Sequence, residues 1–318
     1  MKRQLESYSF NKLEIKTLKE IAKGNNSLHM LREALAIKPN LLSYVLKRLL
    51  QKGMVKVEKK EEGPKKYVYF DNSKHASLFR ELLLKYDHIK WENILSGLAI
   101  DVLFQILDKT ETTLRSFSKT TFWRYARNFM SHGIIMKTSD DSYEINPRFA
   151  ILKDFLIEYQ RFLMNSIVRS VSASTVILWQ RDFECLIRVS KNIDVSRREF
   201  LRTATSRFND LGIPLISDFD LYFYSKKKHV IQVEDVILHT LLIEKGNPRY
   251  TLYSLLLLKK QWRRIDKEYL LKEAQRLDLR LQIEVMLQFL ETQGEKRGLM
   301  LPTWEEFLMK AEEYKVIS

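Results

Sequence analysis

Two stretches of this chain place apolar residues at helical spacing and then end in the same way. In the first, Leu42, Val45, Leu46, Leu49 and Leu50 form one stripe of a helix. Pro39 suits its first turn, because proline pre-sets φ and has no amide hydrogen to leave unpaired. Gly53 follows where a helix end favours a left-handed residue, and Met54-Val55 continues as a strand. In the second stretch Phe122, Tyr125, Ala126, Phe129 and Met130 make the stripe, and Gly133-Ile134-Ile135 closes it.

The likeness extends in both directions. Leu13 to Ile21 matches Leu98 to Ile106 in its apolar positions, and Leu78 to Tyr86 matches Ile151 to Tyr159. The separations are 85 residues upstream, 80 at the stripes and 73 downstream. Two units of one plan therefore follow each other, the second shortened in two places.

Read in order, the pattern predicts a helix over 13–23 and a second over 28–37, with Ser27 as N-cap and Leu28, Leu31, Ala34 and Leu35 facing inward. Strands are expected at 54–58 and 66–70, joined through Gly63-Pro64, and an amphipathic helix over 74–90. In the second unit the 98–107 helix is apolar nearly all round, the second helix is cut to 112–117, and a long helix covers 148–169. A third region begins near Ser170. It holds expected strands at 175–179 and 183–189, a helix over 195–211, short strands at 213–216 and 221–224, then helices over 234–244, 250–263, 267–275, 282–292 and 304–314.

The expected fold class is thus α+β and mostly helical, with domains at 1–90, 91–168 and 169–318. Net charge is +14, and residues 1–88 carry most of the excess, with 19 Lys/Arg against 10 Asp/Glu. The longest apolar run, Leu255 to Leu258, is cut by Lys259 and Lys260, so no membrane partner is expected. The start has no apolar stretch after Lys2-Arg3, and the single cysteine permits neither an internal disulfide nor a thiolate zinc site. The cytoplasm is the expected compartment.

Residues 10–72 resemble the winged helix-turn-helix domains of bacterial and archaeal transcriptional regulators of the arsenic-repressor and multiple-antibiotic-resistance type. The resemblance implies double-stranded DNA as partner, a recognition helix in the major groove and a wing on the backbone. Carried onto this chain, it assigns Lys38, Asn40, Ser43, Tyr44 and Lys47 to the helix and Lys59, Lys60, Lys65 and Lys66 to the wing. In the second unit Asp140 and Asp141 stand at the wing tip and would repel phosphate. There Lys119, Thr120, Arg124 and Arg127 offer a secondary contact, and the unit reads mainly as a packing or dimer module. A homodimer is expected, because operators are usually palindromic and the helices at 98–107 and 149–163 carry apolar excess.

The third region is similar, more faintly, to nucleotidyltransferase-like proteins and to the antitoxin half of abortive-infection pairs. Asp218-Phe219-Asp220 and Val233 to Leu242 carry that likeness. In active members a Gly-Ser pair cradles phosphate and an Asp-x-Asp holds Mg²⁺. Here no glycine lies between Gly133 and Gly212, so Asp218 and Asp220 read as the turn that opens a strand. There is no G-x-G, H-E-x-x-H or G-x-S-x-G. His239 and Cys185 read as core residues. No cofactor, metal or catalytic residue is assigned. The reading is a non-catalytic DNA-binding regulator whose third region offers a surface for a protein partner. A nucleotidyltransferase-like enzyme or toxin–antitoxin component with a DNA-binding head, and a winged-helix protein-interaction scaffold, are the alternatives.

Overall fold

A computed structural model of the chain describes residues 8–59, 66–108, 117–139, 142–195, 199–226, 230–295 and 301–317. The fold is α+β and mainly helical, with three small antiparallel sheets among the described residues. It divides into two compact units, Met1–Asn165 and Ser166–Ser318. Both repeats fall almost wholly in the first. Among the described residues, no helix is long and apolar enough to cross a membrane.

The first repeat opens with α1 (Lys12–Ala22), started by a capping box in which Glu14 N–H donates to Asn11 Oδ1 and Asn11 N–H to Glu14 Oε2, both at 2.8 Å. Then come α2 (Leu28–Leu35) and α3 (Pro39–Gln51). A hairpin of β1 (Val55–Lys59) and β2 (Lys66–Phe70) follows, and then α4 (Lys74–Lys85). The Val68 N–H donates to Asn26 O at 2.8 Å and Ser27 bridges Tyr67, so the segment before α2 adds one rung to the hairpin. After the short α5 (Trp91–Ile94), the second repeat runs through α6 (Ala99–Leu107), α7 (Lys119–Ser131), β3 (Ile135–Lys137), β4 (Tyr143–Ile145) and α8 (Ala150–Arg169).

α3 and α7 end alike. Gly53 N–H donates to Leu50 O and Met54 N–H to Leu49 O, while Gly133 N–H donates to Met130 O and Ile134 N–H to Phe129 O. Both glycines are left-handed, at φ 60° and 66°. These are two Schellman closures at corresponding positions, 80 residues apart.

Aromatic rings join the repeats. Phe79 of α4 meets Phe155 of α8 at 4.8 Å between centroids, and Phe10 stacks on Phe79 at 5.5 Å. Tyr159 packs on Phe155 and donates its hydroxyl to the Tyr8 carbonyl at 2.7 Å, while the Tyr8 hydroxyl donates to Asp101. The apolar faces expected to meet a second chain are therefore occupied within one. Ile100, Val102, Leu103 and Phe104 of α6 and Leu152, Phe155, Leu156 and Tyr159 of α8 are all buried here.

In the second unit β5 (Val176–Arg181), β6 (Glu184–Ser190), β7 (Phe200–Arg202) and β8 (Phe219–Tyr224) form one sheet in the order β5-β6-β8-β7. α9 (Val233–Ile243), α10 (Pro248–Lys260), α11 (Lys267–Arg276), α12 (Arg280–Glu291) and α13 (Trp304–Glu313) complete it. Leu186 and Phe223 of the sheet share a core with Val236, Leu256, Leu270, Phe289 and Phe307 of the helices. Glu184 is buried, accepts from Ser225 Oγ at 2.9 Å and pairs with Arg276 at 2.5 Å, which ties the sheet to α11.

Several expectations are corrected. The helix over 195–211 is not formed where the chain is described. Phe200, Leu201 and Arg202 pair with β8, burying Phe200 on Tyr224, and two 3₁₀ turns follow a left-handed Ala204. Residues 213–216 are not a strand. Pro214 lacks a donor, and Asn209 takes both backbone groups of Leu215 instead. α2 stops at Leu35, leaving Ala34 exposed rather than inward. α4 stops at Lys85, where the chain turns so that Trp91 enters the core and donates to Tyr86 O at 3.1 Å. Leu50 and Met130 close their stripes at the surface. The shortened helix expected at 112–117 lies, but for its last residue, outside the described residues.

Candidate nucleic-acid interface

α3 buries Leu42, Val45, Leu46 and Leu49, and this fixes which side faces outward. Lys38, Asn40, Ser43, Tyr44 and Lys47 all lie on the exposed side. Lys38 sits at the N-cap, after a three-residue turn in which Ala36 is left-handed at φ 51°. α3 has no acidic residue, and neither Lys38 nor Lys47 makes an ion pair with another described residue.

The two other basic groups of this helix are used internally. Glu14 is fully buried and takes Arg48 Nε at 2.5 Å and Lys52 Nζ at 2.7 Å. Lys52 also lies over the Phe10 ring at 4.9 Å. Burial outweighs Glu14 and brings the Lys52 ammonium down to about 8. Arg48 donates to Tyr44 Oη at 3.3 Å, which steadies that exposed ring. His75 is seated under the same end, against the Lys52 carbonyl at 3.0 Å, and burial holds its imidazole below the ordinary value. The cations of α3 without an ion pair among the described residues are therefore Lys38 and Lys47, while the partly buried Arg48 and the buried Lys52 hold the helix on Glu14 of α1.

Lys59 pairs with Lys66 at the loop end of β1 and β2, and Lys66 is exposed. Lys60 and Lys65 lie outside the described residues, as do Asp140 and Asp141 of the second hairpin.

On α7 the corresponding side carries Lys119, Thr120, Arg124 and Arg127, all exposed. Tyr125 seats this helix, because its hydroxyl accepts Leu98 N–H at 3.1 Å above Gly97, where a Cβ would come within 2.6 Å of that oxygen. One residue of this face escaped the sequence reading. Trp123, which corresponds to Ser43 at the 80-residue offset, is 48 % exposed. Aligning the two repeats position by position, rather than reading each stripe alone, reveals it.

The third region's aspartates are not alike. Asp218 is exposed ahead of β8, whereas Asp220 lies in it and takes Arg202 Nε at 3.3 Å. His239 is buried between Phe223, stacked at 4.0 Å, and Thr203 Oγ1 at 2.8 Å. Burial pushes the Cys185 thiol up, away from the thiolate form a nucleophile needs.

No curated protein and no solved structure matches the chain. A family model described as HVO_2833_C, C-terminal, matches residues 197–316, from β7 to α13 of the second unit.

Proposed function

We propose that the first unit holds two tandem winged helix-turn-helix modules and that the protein is a non-catalytic, sequence-specific binder of double-stranded DNA, acting as a transcriptional regulator. The observation that carries this reading is the outward face of α3. Lys38, Asn40, Ser43, Tyr44 and Lys47 are exposed together, while Arg48 and Lys52 are both engaged by the Glu14 carboxylate. Short polar groups that can meet base edges sit between lysines that can meet phosphate. The tight turn at Ala36, the rung from Ser27 to Tyr67 and the two Schellman closures support the module assignment.

A homodimer on a palindromic site follows from this reading, not from spare apolar surface. The engagement of Asp220 by Arg202 supports a structural role for the Asp218 pair. Selection of bound fragments from random genomic DNA tests the proposal. Enrichment of one sequence motif is expected, and recovery of fragments with no shared motif overturns sequence-specific reading.

A further inference from the structure

The outward side of α7 is chemically unlike that of α3. Where α3 has Ser43, Tyr44 and Lys47, α7 has Trp123, Arg124 and Arg127. The Trp123 indole meets Tyr143 of β4 at 5.9 Å and Phe122 at 5.9 Å, each with an interplanar angle of 84°. Neither neighbour lies parallel on it, so these rings brace the indole without stacking on its face, and about half of it stays in water.

The charge carried by α7 itself is of one sign. α7 has three basic residues and no acidic one, and Lys119, Arg124 and Arg127 make no ion pair with any other described residue. Arg124 lies over the Tyr125 ring at 5.2 Å, which leaves its charge without a carboxylate partner among the described residues. A braced aromatic face beside such arginines suits a ligand that offers a flat ring and a phosphate together. A duplex interior does not offer its ring faces, whereas an unpaired strand does.

We propose that the α7 face binds single-stranded polynucleotide, with an unpaired base stacked on Trp123 and its phosphates met by Lys119, Arg124 and Arg127. This site is distinct from the duplex-reading face of α3, and either assignment can fail without the other. Stacking of this kind tolerates any base, so the site has no strong sequence preference.

The test uses the full chain and labelled oligothymidine and oligouridine of about 20 nucleotides, followed by anisotropy at about 50 mM salt. Binding of one or both strands is expected, and the pair separates DNA from RNA as the source. Trp123→Phe keeps most of the affinity, while Trp123→Leu, which keeps the apolar contacts but not the π face, weakens it roughly five- to a hundred-fold. Arg124→Ala with Arg127→Ala weakens it too and flattens the salt dependence. Binding of a DNA duplex with no unpaired ends stays as in the native chain for Trp123→Leu. The proposal fails if neither strand binds, or if Trp123→Leu binds as tightly as Trp123→Phe. It fails equally if Trp123→Leu changes only the sedimentation of the free protein, since Trp123 then lies between two copies of the chain.

Discussion

The Glu14 carboxylate receives the Lys52 ammonium at 2.7 Å with both side chains out of water, so α1 and α3 are held by an ion pair rather than by apolar contact alone. A buried pair adds little net stability, but removing one partner is severe, because the other charge is then left uncompensated. Glu14 also accepts from Arg48 and the Asn11 amide. Glu14→Ala is therefore expected to cost about 3–5 kcal/mol, measured by urea denaturation. A loss under about 1 kcal/mol would show that the cluster is dispensable.

The same pair sets a pH dependence. Lys52 titrates at about 8 in the fold against an ordinary 10.5, with burial as the leading cause. Between those values the unfolded chain binds more protons, so this group's contribution to stability grows as pH rises from 8 to 10.5 and is lost as pH falls through 8. Comparing the native chain with Lys52→Met isolates it. Their stability difference should shift in favour of the native chain across that window, and parallel curves would remove Lys52 as the cause.

Much of this was legible because it repeats. The stripes of α3 and α7 and the closing Gly53 and Gly133 are local features, written in the spacing of a few residues. What was not legible depends on partners distant in sequence. Phe200 takes a strand because Tyr224 of β8 lies opposite it, although its own neighbours read as helix. Leu31 is buried while Ala34 in the same helix is exposed, and α2 ends two residues before the expected Ile37. At the site, the exposure of Lys47 and the burial of Lys52 cannot be told apart by composition. Glu14, 38 residues upstream of Lys52, decides it.

The two closing glycines should respond differently to the same change. Both are left-handed, so alanine at either costs about 1 kcal/mol for the backbone alone. At Gly133 an added Cβ meets nothing within 4 Å, whereas at Gly53 it would lie 2.7 Å from the Phe162 ring. That ring is held by His75 at 4.5 Å and cannot yield freely. Gly53→Ala should thus destabilise by roughly 1–3 kcal/mol more than Gly133→Ala. Equal midpoints for the two variants in thermal unfolding would contradict the packing described around Phe162.

Replacing Asp218 and Asp220 by Asn should leave duplex binding at its native value, since neither lies on α3 or its hairpin. A nucleotide-transfer activity present in the native chain and absent from this variant would reverse the non-catalytic reading. The variant should cost little stability, as Asp220 gives up only a partly exposed contact to Arg202.

The final prediction separates positioning from reading within the first repeat. Each phosphate neutralised releases condensed counterions, so the slope of log affinity against log salt counts contacts at roughly 0.9 per phosphate on duplex DNA. Changing Lys59, Lys60, Lys65 and Lys66 to Ala should flatten that slope by about two to four units and weaken binding, with the preferred sequence nearly unchanged. Asn40→Ala with Ser43→Ala should act in the opposite sense, because their short polar groups lie on the exposed side of α3 with Lys38 and Lys47, where the proposed function has base edges meet the helix. There, relaxed discrimination of roughly 1–3 kcal/mol at one or two positions is expected, at an almost native slope. Arg124→Ala with Arg127→Ala supplies the control, since those groups belong to the α7 face. If that pair abolishes the salt dependence of blunt duplex binding while the hairpin variant keeps it, then α7 and not α3 is the duplex reader.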